Sequence, residues 1–152
     1  MSLRTQLSLV LFLSLFGLLD SWYISAVSVL NSPLYCAPGL FSCDVVLESS
    51  WARLFFDIPN SVLGMGFYGA LFLLALLASS GVSLVVLGPD RWLHAIRTLS
   101  LLGFLAHLYF VYLQAVVIKA FCLWCLVSAV LITIIFVVVW WPPKIKDRPA
   151  VE

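Results

Sequence analysis

Charge is what this chain has least of. Only 10% of its 152 residues are Asp, Glu, Lys or Arg, and the net charge is +1. A nucleic-acid binder would show a basic patch or stripe, and no such footprint exists here. A soluble domain would carry about a quarter charged residues to cover its surface. With two histidines and four cysteines there is no metal-ligand motif. No Gly-rich phosphate loop, no serine–histidine–acid order and no haem, flavin or nicotinamide motif occurs either. What remains is 64% hydrophobic, more than a soluble fold of this size can bury. A polytopic membrane protein needs no such core, because lipid covers its outer faces.

Four long apolar segments carry that excess, over residues 3–30, 60–87, 92–118 and 120–141. Each is long enough to cross about 30 Å of hydrocarbon at about 1.5 Å per residue. Backbone groups in lipid must bond within their own segment, so the expected spans are helices. Arg4 followed by Leu7 to Leu19 resembles a signal peptide. The apolar run continues past Asp20 to Leu30 without an A-x-A site, so the first segment is expected to remain a span. The expected fold is an all-α integral membrane protein. It forms one membrane domain, 1–152, as a four-transmembrane-helix bundle. The outer loop is 31–59 and the tail 142–152.

Cations set the expected orientation. With the N-terminus cytoplasmic, the inside carries Arg4, Arg91, Arg97, Lys144, Lys146 and Arg148, the outside only Arg53 and Lys119. That asymmetry follows the positive-inside rule. Gly88-Pro-Asp-Arg91 then reads as a tight cytoplasmic turn. Trp140-Trp-Pro-Pro-Lys144 reads as an aromatic belt, a helix stop and a basic tail. Both termini are cytoplasmic in this scheme. All four cysteines, Cys36, Cys43, Cys122 and Cys125, gather on the opposite, oxidising face of a cell membrane or ER membrane.

Those cysteines are the chemistry-bearing residues. Cys122-Leu-Trp-Cys125 opens the fourth span. A helix start favours thiolate through its unpaired N–H groups and partial positive charge, and Lys119 would act in the same sense. Thiolate is the form that attacks a disulfide. Cys36 and Cys43 lie on a turn-rich stretch, where a disulfide closes too short a loop to add much stability. A shuttle suits that mobility better: one pair would take electrons from an outside thiol protein and relay them to the other. Two inert disulfides, one structural Zn²⁺ or simple packing cysteines are the competing accounts. The electrons need an acceptor, and a lipid-soluble quinone held beside Cys125 is the economical one. Asn60, at the head of the second span on the same face, is the best donor to a quinone carbonyl.

Other positions are read more plainly. Ser14, Gly17, Ser21, Ser25 and Ser28 form a small-residue stripe for close helix packing. Asp20 is an acid inside an apolar run, costly unless paired or wetted, with structure and function equally open. Leu47, Trp51, Leu54 and Phe55 recur at helical spacing, giving a short amphipathic helix from about Cys43 to Phe56, capped by Ser42 or Asp44. Asn60, Gly64 and Tyr68 share a face. Ser100, Gly103, His107 and Gln114 share another, with His107 read as a neutral histidine bonded to a neighbour.

Taken together, Cys36, Cys43, Ser49, Trp51, the stretch Asn60-Ser-Val-Leu-Gly-Met-Gly-Phe-Tyr68 and Phe121-Cys-Leu-Trp-Cys125 resemble the vitamin K epoxide reductase family, which includes bacterial disulfide-forming homologues. The resemblance runs from the first span to Trp141. It implies a four-helix bundle around a quinone pocket, capped by a short helix, and no metal. It implies that Cys125 is the thiol beside the quinone and Cys122 the one that exchanges with the loop. Cys43 is then the relay partner and Cys36 faces the redox protein. Ser49 orders the loop and Asn60 bonds the quinone. Animal members carry a tyrosine four residues after the second CxxC cysteine, where this chain has Ala129. The thioredoxin-like extension of many bacterial members is missing, so the redox partner is expected to be a separate thioredoxin-fold protein.

The function expected from all this is a quinone-dependent membrane thiol–disulfide oxidoreductase that supports disulfide formation. Its quinone would be of menaquinone, ubiquinone or vitamin K type. The alternatives are a vitamin K epoxide or quinone reductase of an ER membrane, and a non-enzymatic tetraspan scaffold with structural disulfides.

Overall fold

The computed structural model describes residues 1–30, 32–36, 39, 41–53, 58–80 and 89–142. Helix α1 spans Leu3–Leu30, α2 Cys43–Glu48 and α3 Asn60–Ser79. Helix α4 spans Pro89–Tyr112 and runs on as a π-helical turn over Leu113–Ile118. Helix α5 spans Leu123–Trp140. One 3₁₀ turn, Ser50–Ala52, follows α2. Four helical stretches, α1, α3, α4 with its π turn, and α5, are long and apolar enough to cross a membrane. The chain is an all-α, multi-pass integral membrane protein.

The four spans form a ring in which α1 packs on α3 and α5, and α4 packs on the same two. The small stripe of α1 makes this closure possible: Ser14, Gly17, Ser21 and Ser25 are all buried. A side chain at Gly17 would collide with the Tyr68 ring, one at Gly64 would meet Ser21 Oγ at 2.8 Å, and one at Gly103 would collide with Phe67. Tyr68 is wholly buried and crosses the bundle centre, its hydroxyl donating to the Ser128 carbonyl (2.8 Å). Leu71, Ile96, Ile132 and Ile135 continue this core away from the cysteines. At that far end, Gln6 Nε2 donates to the Val138 (3.1 Å) and Trp141 (2.7 Å) carbonyls, and Arg97 Nε to Val139 (3.3 Å). These bonds satisfy carbonyls that the end of α5 leaves without intrahelical donors. Outward faces carry large apolar side chains such as Phe12, Phe16, Trp22 and Leu105, the surface that lipid requires.

The structure corrects several expected boundaries. The amphipathic helix is not continuous from Cys43 to Phe56. Ser49 is extended (φ −64, ψ 148), so α2 stops at Glu48 and a separate 3₁₀ turn follows, with Leu54 to Phe56 outside the described residues. Ser42 is the N-cap residue but makes no side-chain capping bond. The Pro89-Asp-Arg91 segment is the first turn of α4 rather than a tight turn, proline being well suited to the first helical position. Residues 81–88 and the basic tail 143–152 lie outside the described residues. The fourth span starts at Leu123, later than expected, because Lys119 turns the chain left-handed (φ 57).

The close approach at Gly17 gives a direct prediction. Gly17→Leu should destabilise the detergent-solubilised protein by about 1–3 kcal/mol, the usual cost of overpacking. Gly66→Ala, which meets nothing within 4 Å, should not. Thermal unfolding of both variants checks it.

Candidate functional site

The site begins where α4 ends. The π turn at Leu113–Ile118 widens the helix, and Lys119 then reverses the chain. Ala120 N–H returns to the Gln114 carbonyl (3.1 Å), and the Gln114 side-chain oxygen accepts the Cys122 N–H (2.8 Å). One buried glutamine therefore closes one helix and positions the start of the next. Such π turns recur at functional sites because they redirect the groups around them.

Cys122 is the N-cap of α5 and Cys125 lies in its first turn. The two thiols face different surroundings. Cys122 is fully buried in a cluster with Leu34, Cys43 and Val46. Cys125 lines the main cavity of the bundle. The Cys125 S–H donates to the Cys122 sulfur and, with the N–H groups of Cys125 and Trp124, holds that thiol below its ordinary range against the opposing effect of burial. This is the helix-start effect expected from the sequence. The donors are Cys125 and the first-turn backbone, rather than Lys119.

The second pair is a disulfide, Cys36–Cys43, with Cα atoms 6.1 Å apart, inside the range such bridges span. Cys43 is buried against Cys122, while Cys36 is half-buried toward the outside. Two bonds tie this loop to the CxxC helix: Trp124 Nε1 to the Tyr35 carbonyl (2.8 Å) and Ser42 N–H to the Phe121 carbonyl (2.9 Å). The Trp124 ring also meets Tyr23 edge-on at 4.9 Å.

The cavity, about 400 Å³, opens beside Cys125 between α1, α3, α4 and the cap. Most of its wall is apolar: Ile24, Leu63, Phe67 and Phe110 among others. Asn60, His107, Gln114 and Ser128 supply polar points on it. Asn60 Nδ2 donates to the Trp51 carbonyl (2.7 Å) and so joins α3 to the 3₁₀ turn over the cavity. Ser49 Oγ donates to the Val46 carbonyl (2.7 Å), closing α2. His107 Nδ1 is 2.8 Å from the Gly103 carbonyl, which only accepts, so Nδ1 carries the ring proton. Nε2 lies 3.2 Å from Ser128 Oγ, and Tyr68 Oη lies 3.0 Å from the same hydroxyl. His107 is thus bonded to a neighbour through each ring nitrogen, as expected from the sequence.

Asp20 neither reaches the solvent nor pairs with a cation. It is 8% exposed, and both carboxyl oxygens are buried without a hydrogen-bond partner among the described residues. Reading the sequence assigned Gln114 and Ser128 no part in the thiol site. Nothing local marks a glutamine as the residue that will accept from an N–H eight positions on. Only its place in an apolar run, where a polar side chain needs a partner, singles it out. Among the described residues no group of His, Cys, Asp or Glu is placed to hold a metal ion.

The membrane bundle thus sets a disulfide and two free thiols together at one end, beside an apolar cavity. The match to a family model places it further: residues 8–140 fit the vitamin K epoxide reductase family, and the chain belongs to that family. It is accordingly a membrane oxidoreductase of a family that works with quinones.

The hydrogen bond between the two thiols predicts a pH effect. In the wild-type protein, alkylation of Cys122 should reach its half-maximal rate at a pH below that of an ordinary thiol. Cys125→Ala removes the foremost donor to the thiolate, so the midpoint should move up. Mass spectrometry of iodoacetamide-labelled peptides across a pH series reads both.

Proposed function

We propose that this protein is a quinone-dependent thiol–disulfide oxidoreductase that supports disulfide formation. A separate thioredoxin-fold protein supplies the electrons. The observation that carries the proposal is the division of surroundings at the CxxC pair: Cys122 packs with Cys43, while Cys125 lines the cavity. The thiols therefore stand in the order that a relay needs.

The relay runs in two dithiol–disulfide transfers, from the partner to the loop pair and from the loop pair to the CxxC pair. A partner thiolate attacks Cys36, the more exposed sulfur, and Cys43 leaves as a thiolate; a second partner thiol resolves the mixed disulfide. The partner is oxidised, and Cys36 and Cys43 are reduced. Cys43 then attacks Cys122 of an oxidised Cys122–Cys125 pair, releasing Cys125 as thiolate, and Cys36 resolves the Cys43–Cys122 bridge. The loop regains its disulfide and the CxxC pair holds two electrons. That combination, a Cys36–Cys43 disulfide with free Cys122 and Cys125, is the one in the structure. A quinone, when bound, supplies a two-electron, two-proton acceptor.

The cavity suits that ligand class. Its volume lies in the usual range for small-molecule sites, and its wall is apolar with few polar points. Asn60 on that wall supports the reading as an amide donor for a ring carbonyl, and Ser49 orders the end of α2. The positive-inside distribution puts this end of the bundle on the oxidising face, with both termini cytoplasmic. The epoxide-reductase reading gains nothing from the site, because Ala129 offers no side-chain hydrogen bond where animal members carry a tyrosine.

Two variants test the scheme in proteoliposomes supplied with quinone and a reduced thioredoxin-fold substrate. Cys125→Ala should abolish quinone reduction; a wild-type rate would end the proposal. Cys36→Ser leaves Cys43 without its resolving partner and should accumulate a Cys43–Cys122 bridge. Finding Cys36-position crosslinks in a Cys43→Ser protein in their place would reverse the loop roles.

A further inference from the structure

Asp20 is a buried acid near the thiols that the relay leaves unused. It sits on α1 against α5, in a groove with Tyr23, Trp124 and Val127. Neither carboxyl oxygen has a hydrogen-bond partner among the described residues. Ser128 of α5 reaches toward it without the alignment of a hydrogen bond. Tyr23 and Trp124, which line that groove with Asp20, also pack against the cluster that buries Cys122. From α4, His107 faces Ser128 on the other side (3.2 Å).

A carboxylate without donors inside a membrane span is costly, and such residues mark proton paths more often than packing. A second negative charge beside it is costlier still. A carboxylate at Asp20 and a thiolate at Cys122, set on either side of the same packed Tyr23 and Trp124 rings, would therefore oppose one another.

We propose that Asp20 is the proton store of the CxxC pair, taking up a proton when the pair is reduced and giving it back when the pair is oxidised. This rests on the quinone-dependent reading above. The balance is closed. In the reduced state Cys122 is a thiolate, Cys125 a thiol and Asp20 a carboxylic acid. Oxidation forms the Cys122–Cys125 bond and passes one electron pair to the quinone. The Cys125 and Asp20 protons follow it, giving the quinol and leaving Asp20 a carboxylate. Refilling by the Cys36/Cys43 dithiol reforms the loop disulfide and returns one proton to Cys125 and one to Asp20. Charge on the site is −1 throughout. Ser128, which stands beside Asp20 and also lines the cavity, is the hydroxyl through which the proton passes.

Redox-difference infrared spectroscopy tests this without any quinone. Full-length protein is cycled between dithiol and disulfide with a thiol reductant and a chemical oxidant. The carbonyl band of a protonated carboxylic acid should be present in the dithiol state, lost in the disulfide state and absent throughout in Asp20→Asn. A band that ignores redox state, or survives in Asp20→Asn, overturns the proposal. Kinetics give the second reading. Asp20→Asn should lose roughly a hundredfold in quinone reduction, the scale of one general acid, with the loss growing as pH rises. Asp20→Glu should recover much of it. Formation of the Cys43–Cys122 bridge in Cys36→Ser/Asp20→Asn reports that the fold is intact. A wild-type rate and pH profile in Asp20→Asn sinks the proposal, as does an unshifted profile in Asp20→Glu should Asp20→Asn fail to fold. A wild-type protein that shows the infrared change but reduces no quinone would retire the quinone reading and leave the proton store standing.

Discussion

The bond from the Cys122 N–H to the Gln114 side chain (2.8 Å) is the interaction on which the thiol site depends. Lipid offers no water to satisfy a stray N–H, so the reversal between α4 and α5 has to supply its own acceptor. Gln114 does so from within a π turn, and its carbonyl takes Ala120 N–H as well. Cys122 is thereby held as an N-cap. Its sulfur faces the first-turn N–H groups of α5, and Cys125 is placed one turn deeper. Loss of this one acceptor would free the start of α5 and with it the distinct surroundings of the two thiols.

A second centre organises the middle of the bundle. Gly17 of α1, Tyr68 of α3, His107 of α4 and Ser128 of α5 meet there, one residue from each span. Tyr68 reaches Ser128 because Gly17 has no side chain to block its ring. The result is a polar knot in a core otherwise made of Leu, Ile and Phe, and it forms the floor of the cavity beside Cys125. Packing and chemistry are joined here: the small-residue stripe that lets α1 approach α3 also lets a tyrosine cross the bundle.

The architecture was largely legible in the sequence because bilayer thickness dictates it. Runs of apolar residues fix four spans, and the expected first span coincides with α1. The gathering of the four cysteines at one end was legible too, because two of them open the last span and the other two lie in the loop that packs on it. Boundaries set by local dihedrals were not. Ser49 breaking the cap and Lys119 entering the left-handed region are single-residue dihedral events that apolar spacing does not encode. Gln114 and Ser128 were legible only as polar residues in apolar runs. Their partners lie on other helices or beyond a reversal, where periodicity carries no information.

The Trp124–Tyr35 and Ser42–Phe121 bonds fasten the disulfide loop to the same helix that carries the dithiol. Held on one element, the two cysteine pairs meet at an effective molarity that no freely diffusing thiol in the surroundings can match. In the relay proposed above, the protein's own loop would then outcompete small reductants at Cys122. Insulation against a short circuit comes from tethering, without any gate.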